Sequence, residues 1–129
     1  KNGIKKLKKR NANIIIASMH AGTEHTRVLN TTQTSLAHYA VDLGANLVLG
    51  HRPHILQGIE KYKDAYIVYS LGNFCFGGNT NPVDKKTMIY QQTFLFQGKK
   101  MLKDSLCKVI PCSLSSSKTI NTYCNTYYS

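Results

Sequence analysis

Asn46-Leu47-Val48-Leu49-Gly50-His51-Arg52-Pro53-His54 is the stretch that decides the fold of this chain. It opens as a short apolar run of the kind that forms a buried strand. It closes on two imidazoles, a guanidinium and a proline whose ring fixes the backbone. A second run, Asn13-Ile14-Ile15-Ile16-Ala17-Ser18-Met19, has the same character and ends on His20. Between the two, Asn30 starts a helix. Asn30 and Gln33 have the spacing of a capping box, with Asn in place of the usual Ser or Thr. Leu36, Ala40 and Leu43 give a helical stripe supported by Ala37 and Val41. Gly44 stands where a left-handed residue ends a helix. Strand, helix and strand make one β-α-β unit, with parallel strands and a right-handed crossover. Neighbouring strands lie about 4.8 Å apart, so His20 and His51 leave one sheet edge within reach of a shared ligand. Ligands of open α/β sheets bind beyond the carboxyl ends of the strands. Imidazole there can bind a metal, bind an anion or move a proton.

Upstream, Gly3 to Arg10 reads as the end of a helix, with Ile4 and Leu7 on one face and lysines on the other. His20 to Leu29 reads as a loop. Downstream, Ile55 to Tyr62 and Tyr66 to Leu71 read as a strand pair turning at Lys63-Asp64. Gly72-Asn73-Phe74 ends the second strand, and Gly77-Gly78-Asn79 with Asn81-Pro82 makes a polar loop. Thr87 to Phe96 and Leu102 to Ile110 read as an antiparallel pair, turned at Gln97-Gly98-Lys99 and ended by Pro111. The fold class expected is α/β, one βαβ unit followed by antiparallel strands. It fills residues 1–112, and 113–129 form a Ser/Thr/Asn/Tyr-rich surface tail or edge strand.

A chain of 129 residues suits one domain. No apolar run approaches the ~18 residues of a membrane span. The basic start is followed by too short an apolar segment for a signal peptide. The chain does not begin with Met and reads as a piece of a longer protein. Its formal net charge is +11, and Lys1, Lys5, Lys6, Lys8, Lys9 and Arg10 concentrate that charge at the start. A polyanionic partner explains the charge, and so does a solvated lysine-rich helix face. No helix-turn-helix, RRM or zinc-finger pattern accompanies it, so nucleic acid is not expected as a partner. Four cysteines show no CxxC spacing. Cys107 and Cys112 differ by an odd number and face opposite sides of one strand.

Three stretches carry a resemblance: Ser18 to Glu24, Leu43 to Glu60, and Tyr69 to Phe74. In order and spacing they resemble the bacterial capsule-synthesis family of CapA type, over roughly residues 5 to 110. That family is similar to calcineurin-like metallophosphoesterases, which implies the C-terminal half of a layered α/β sandwich. Those enzymes hold two metal ions through an early Asp motif, a Gly-Asp motif, an Asn-His motif, a lone His and a final Gly-His-x-His motif. Here His20 matches the lone His, and Gly50-His51 with His54 matches a variant of the last. The first three are not in this chain. A two-metal centre needs bridging carboxylates, so the 129 residues alone are expected to be inactive and to bind metal weakly. Two positions depart from the family: Ala21 where Trp is common, and Arg52 where a second His is common.

The resemblance implies a divalent metal held by His20, His51 and His54. It implies acid-base work for His54 or Glu24, and Arg52 orienting an anionic substrate, since a guanidinium clamps carboxylate or phosphate through two parallel bonds. It further implies an extracytoplasmic, membrane-associated parent protein. Its partners would be an anionic polymer such as poly-γ-glutamate and other capsule-synthesis membrane proteins. The alternative is a noncatalytic basic module that binds or tethers the polymer. The bland readings stand beside these: a loop histidine bonded to backbone, a solvated Glu24, a turn-forming Asn73. His25 and His38 carry no motif. An open sheet edge is also expected, and with it a homodimer.

Overall fold

Gly50 explains how tightly the centre of the fold is drawn together. A Cβ at this position would run into the backbone carbonyl of Tyr69. Only glycine lets the end of one strand approach its neighbour so closely. In a computed structural model of the chain, residues 2–75, 81–102 and 106–114 are described. They form α1 (Asn2–Lys9), β1 (Ile16–Met19), α2 (Thr31–Asp42), β2 (Leu47–Gly50), β3 (Ile59–Tyr62), β4 (Ala65–Val68), β5 (Lys86–Thr93), β6 (Phe96–Gln97), β7 (Lys100–Met101) and β8 (Leu106–Ser113).

The fold is α/β. A four-stranded sheet has the order β1-β2-β4-β3. β2 lies parallel to β1 and to β4, and β3 runs antiparallel to β4. The β-α-β unit is therefore as expected, and Ser18 pairs with Leu49 and Met19 with Gly50. Lys63 takes a φ of 54° in the β3–β4 turn. The core lies between α2 and one face of the sheet. It is built from Ile15, Met19, Ala37, Ala40, Val41, Ala45, Val48, Ala65, Ile67 and Tyr69, with Ile4 of α1 packed against it.

Two expectations about burial and one about a strand end are corrected. The buried stripe of α2 is Gln33, Ala37, Ala40 and Val41, while Leu36 is 45% exposed. The helix turns its alanines to the sheet, because small side chains let it sit close. β1 is not buried on both faces. Among the described residues it is an edge strand: Met19, and Ile15 just before it, enter the core while Ile16 stays 52% exposed. Pro111 does not end its strand but pairs with Met88 inside β8. Among the described residues β8 is bonded to β5 alone, so a missing N–H on its other side leaves the ladder intact.

β5 and β8 form the expected antiparallel pair, in register from Lys86–Ser113 to Thr93–Leu106. The small β6–β7 hairpin turns at Gly98, with φ 60°. Thr87 Oγ1 donates to the Leu71 carbonyl at 3.0 Å and ties this second layer to the sheet. Cys107 is exposed and Cys112 buried, on opposite faces of β8. Of the 113–129 segment, Leu114 is buried, and 115–129 lie outside the described residues.

Candidate functional site

The carboxyl ends of β1, β2 and β4 open on the same side. His20 follows β1. After β2, the His51 N–H donates to the Met19 carbonyl at 3.1 Å, and the fully buried Pro53 turns the chain. His54 then takes a left-handed φ of 59°. Asn73 follows β4, and its Oδ1 lies 2.8 Å from His54 Nδ1. That contact places the proton of the neutral ring on Nδ1 and leaves Nε2 as its basic nitrogen.

The structure brings some of the expected residues together. The rings of His20 and His54 meet at 6.4 Å between centroids, nearly perpendicular at 73°. Arg52 Nε lies 3.1 Å from Glu24 Oε1. His51 turns its ring to Ser18, with Nε2 3.1 Å from Oγ. His25, which no motif singled out, lies 6.2 Å from His54 with its ring tilted by 30°. Its own N–H donates to the Pro53 carbonyl at 2.9 Å, so it pins the loop after β1 onto the turn after β2. Glu24, His25, His54, Asn73 and Asp84 line a cavity of about 340 Å³.

The loop is also held from beneath. Gln33 is fully buried, and its Nε2 donates to Gln57 Oε1 at 2.7 Å and to the Tyr69 carbonyl at 3.2 Å. Gln57 Nε2 in turn donates to the Thr26 carbonyl at 2.9 Å. Gln33 thus serves the sheet and loop rather than the reciprocal half of a capping box. Its place in the helical stripe was the available signal; its polarity pointed the other way. Arg27 pairs with Asp84 at 2.8 Å and draws the loop toward the segment before β5.

Imidazole nitrogens suit a divalent cation, which takes four or more ligands. Among the described residues, no group of three or more His, Cys, Asp or Glu side chains is arranged to hold one. The described donors therefore do not form a closed metal site.

The sequence profile of the family described as "Bacterial capsule synthesis protein PGA_cap" matches residues 1–78, more than half of the chain. The chain belongs to this family. The match takes in β1 through β4 and every residue carried over from the motifs. Among curated relatives, the chain is 44% identical over 69 residues to "Capsule biosynthesis protein CapA" of Bacillus anthracis, covering 54% of this chain and 17% of that protein. It is 43% identical over 68 residues to "PGA biosynthesis protein CapA" of Bacillus subtilis strain 168, covering 53% and 18%. An uncharacterized Sinorhizobium fredii protein is 47% identical over 51 residues, covering 40% and 11%. The chain matches less than a fifth of the length of each of these relatives. No helix among the described residues is long and apolar enough to cross a membrane.

Proposed function

We propose that this chain takes part in making a capsule or exopolymer of poly-γ-glutamate type at the cell envelope. Its site at the carboxyl ends of β1, β2 and β4 holds the anionic polymer or a precursor of it. The observation that carries the reading is the meeting of His20 and His54 beside the Arg52–Glu24 pair. The His20 ring N–H and the Asn73 amide, which His54 orients through its Nδ1–H, can donate to carboxylates, and the basic surface raises the local concentration of a polyanion. Long-range attraction of this kind falls as salt rises.

A second reading is metal-assisted hydrolysis in the parent protein, with His20, His51 and His54 as ligands, Glu24 or His54 as proton carrier and Arg52 as anion clamp. What favours it is the fixing of His54 Nδ1 by Asn73, the arrangement that orients ligating histidines.

Fluorescence anisotropy of a labelled glutamate oligomer tests both. Binding should weaken steadily with salt and survive EDTA. His54→Gly, which accepts the left-handed backbone, should weaken it about tenfold, which corresponds to ~1.4 kcal/mol. Binding that disappears with EDTA would favour the metal reading. No binding at low salt would overturn the polymer reading.

A further inference from the structure

We propose that His25 is a ligand-binding residue of this site, donating its ring N–H to a carboxylate of the bound chain beside the Asn73 amide that His54 orients. The inference rests on the polymer reading above and names the residue that sets its specificity. His25 and His54 take φ values of 55° and 59°, a left-handed conformation rare for residues with a Cβ. Such strain persists where surrounding contacts enforce it, and it gathers at ligand sites. Here the enforcing contact is the bond from the His25 N–H to the Pro53 carbonyl, one residue before His54. That bond joins the two loops, and the rings of the two strained residues stand 6.2 Å apart on one cavity.

The cavity suits a γ-linked acidic chain in three respects. Its volume, about 340 Å³, lies at the lower end of small-ligand sites. Ile55, Pro82 and Val83 supply apolar wall for methylene groups. Its two carboxylates are engaged: Glu24 with Arg52, and Asp84 with Arg27 and the Lys86 N–H. Their repulsion of an incoming carboxylate is therefore offset, and the His25 ring N–H and the Asn73 amide hydrogens attract it. The Asn73 amide, already at His54, lies beside the same space.

The test uses a labelled γ-glutamate oligomer and the variants His25→Gly and His25→Asn. Both residues accept a left-handed backbone. His25→Gly should keep the melting temperature and weaken binding about tenfold; His25→Asn, which keeps a donor, should recover part of the loss. In the unsubstituted protein, the ring proton signals of His25 and His54 should shift on adding the oligomer, while those of His38 stay in place. Unchanged affinity in His25→Gly, with the unsubstituted protein binding, would overturn this assignment and leave the polymer reading standing. If His25→Gly fails to fold, the ring signals decide, and a still His25 signal rejects the role. No binding by the unsubstituted protein would sink both.

Discussion

Glu60 accepts from the Tyr69 hydroxyl at 2.6 Å, and both its oxygens lie 3.0 Å from His38 Nε2. One carboxylate so ties α2 to β3 and to the buried residue after β4. The Tyr69 hydroxyl first, and His38 after it, hold the Glu60 carboxyl below its ordinary range against the opposing effect of burial. Burial, with Glu60, pushes the Tyr69 hydroxyl up. A carboxyl with a depressed folded pKa adds stability that is complete above its unfolded value, about 4.3, and is lost as pH falls through the folded value. Glu60→Gln is expected to cost about 1 kcal/mol at neutral pH, discounted for a half-open site. Thermal melts from pH 3 to 7 check it. The gap between the two proteins should close in acid, and a gap of constant size would assign the loss to packing instead. None of this was legible in the sequence. His38 sat on a helix without a motif, and the carboxylate it meets lies 22 residues away on a strand.

At the scale of elements, α2 is bounded by two features that the sequence announced. Asn30 accepts the Gln33 N–H at 2.8 Å. At the other end, Gly44 has a φ of 107°, with Gly44 N–H bonded to Val41 and Ala45 N–H to the Ala40 carbonyl. That paired closure satisfies carbonyls the helix cannot. Asn30 also donates to Thr23 Oγ1 at 3.1 Å, joining the cap to the loop that bears His20, Glu24 and His25. Asn30→Ala is expected to destabilise by about 1 kcal/mol, and to lower the melting temperature by about 4 °C. Calorimetry measures it. Faster hydrogen exchange at residues 31–33 and in the loop should accompany the loss, since one side chain serves both. Of the expected stripe, Ala37, Ala40 and Val41 are buried, whereas Leu36 stays 45% exposed. The sheet surface selected Ala37, Ala40 and Val41, with the buried amide of Gln33 bonded to sheet and loop.

For the molecule as a whole, β1 is the element with consequences. Among the described residues it pairs with β2 alone, and it leaves Ile16 half in water along an open edge. An unpaired edge is a template for another strand. Self-association through β1 is expected, and sedimentation velocity over a range of concentrations measures it. Ile16→Lys should shift the equilibrium to monomer, because a charge on an edge strand opposes pairing. A protein that is monomeric at every concentration would show that this edge stays solvated.

The sequence by itself determined the β-α-β unit, the parallel pairing of its strands, the two ends of its helix and the presence of histidines where strands stop. Those features are local: each rests on periodicity, capping or chain punctuation within a few residues. The tertiary structure alone decided which imidazoles meet. It joined His54 to His20 and to His25, and turned His51 to Ser18. Those contacts depend on two left-handed backbone positions and on loops joined across strands distant in the chain. No side-chain pattern encodes them; they follow from how the sheet and its loops close in space.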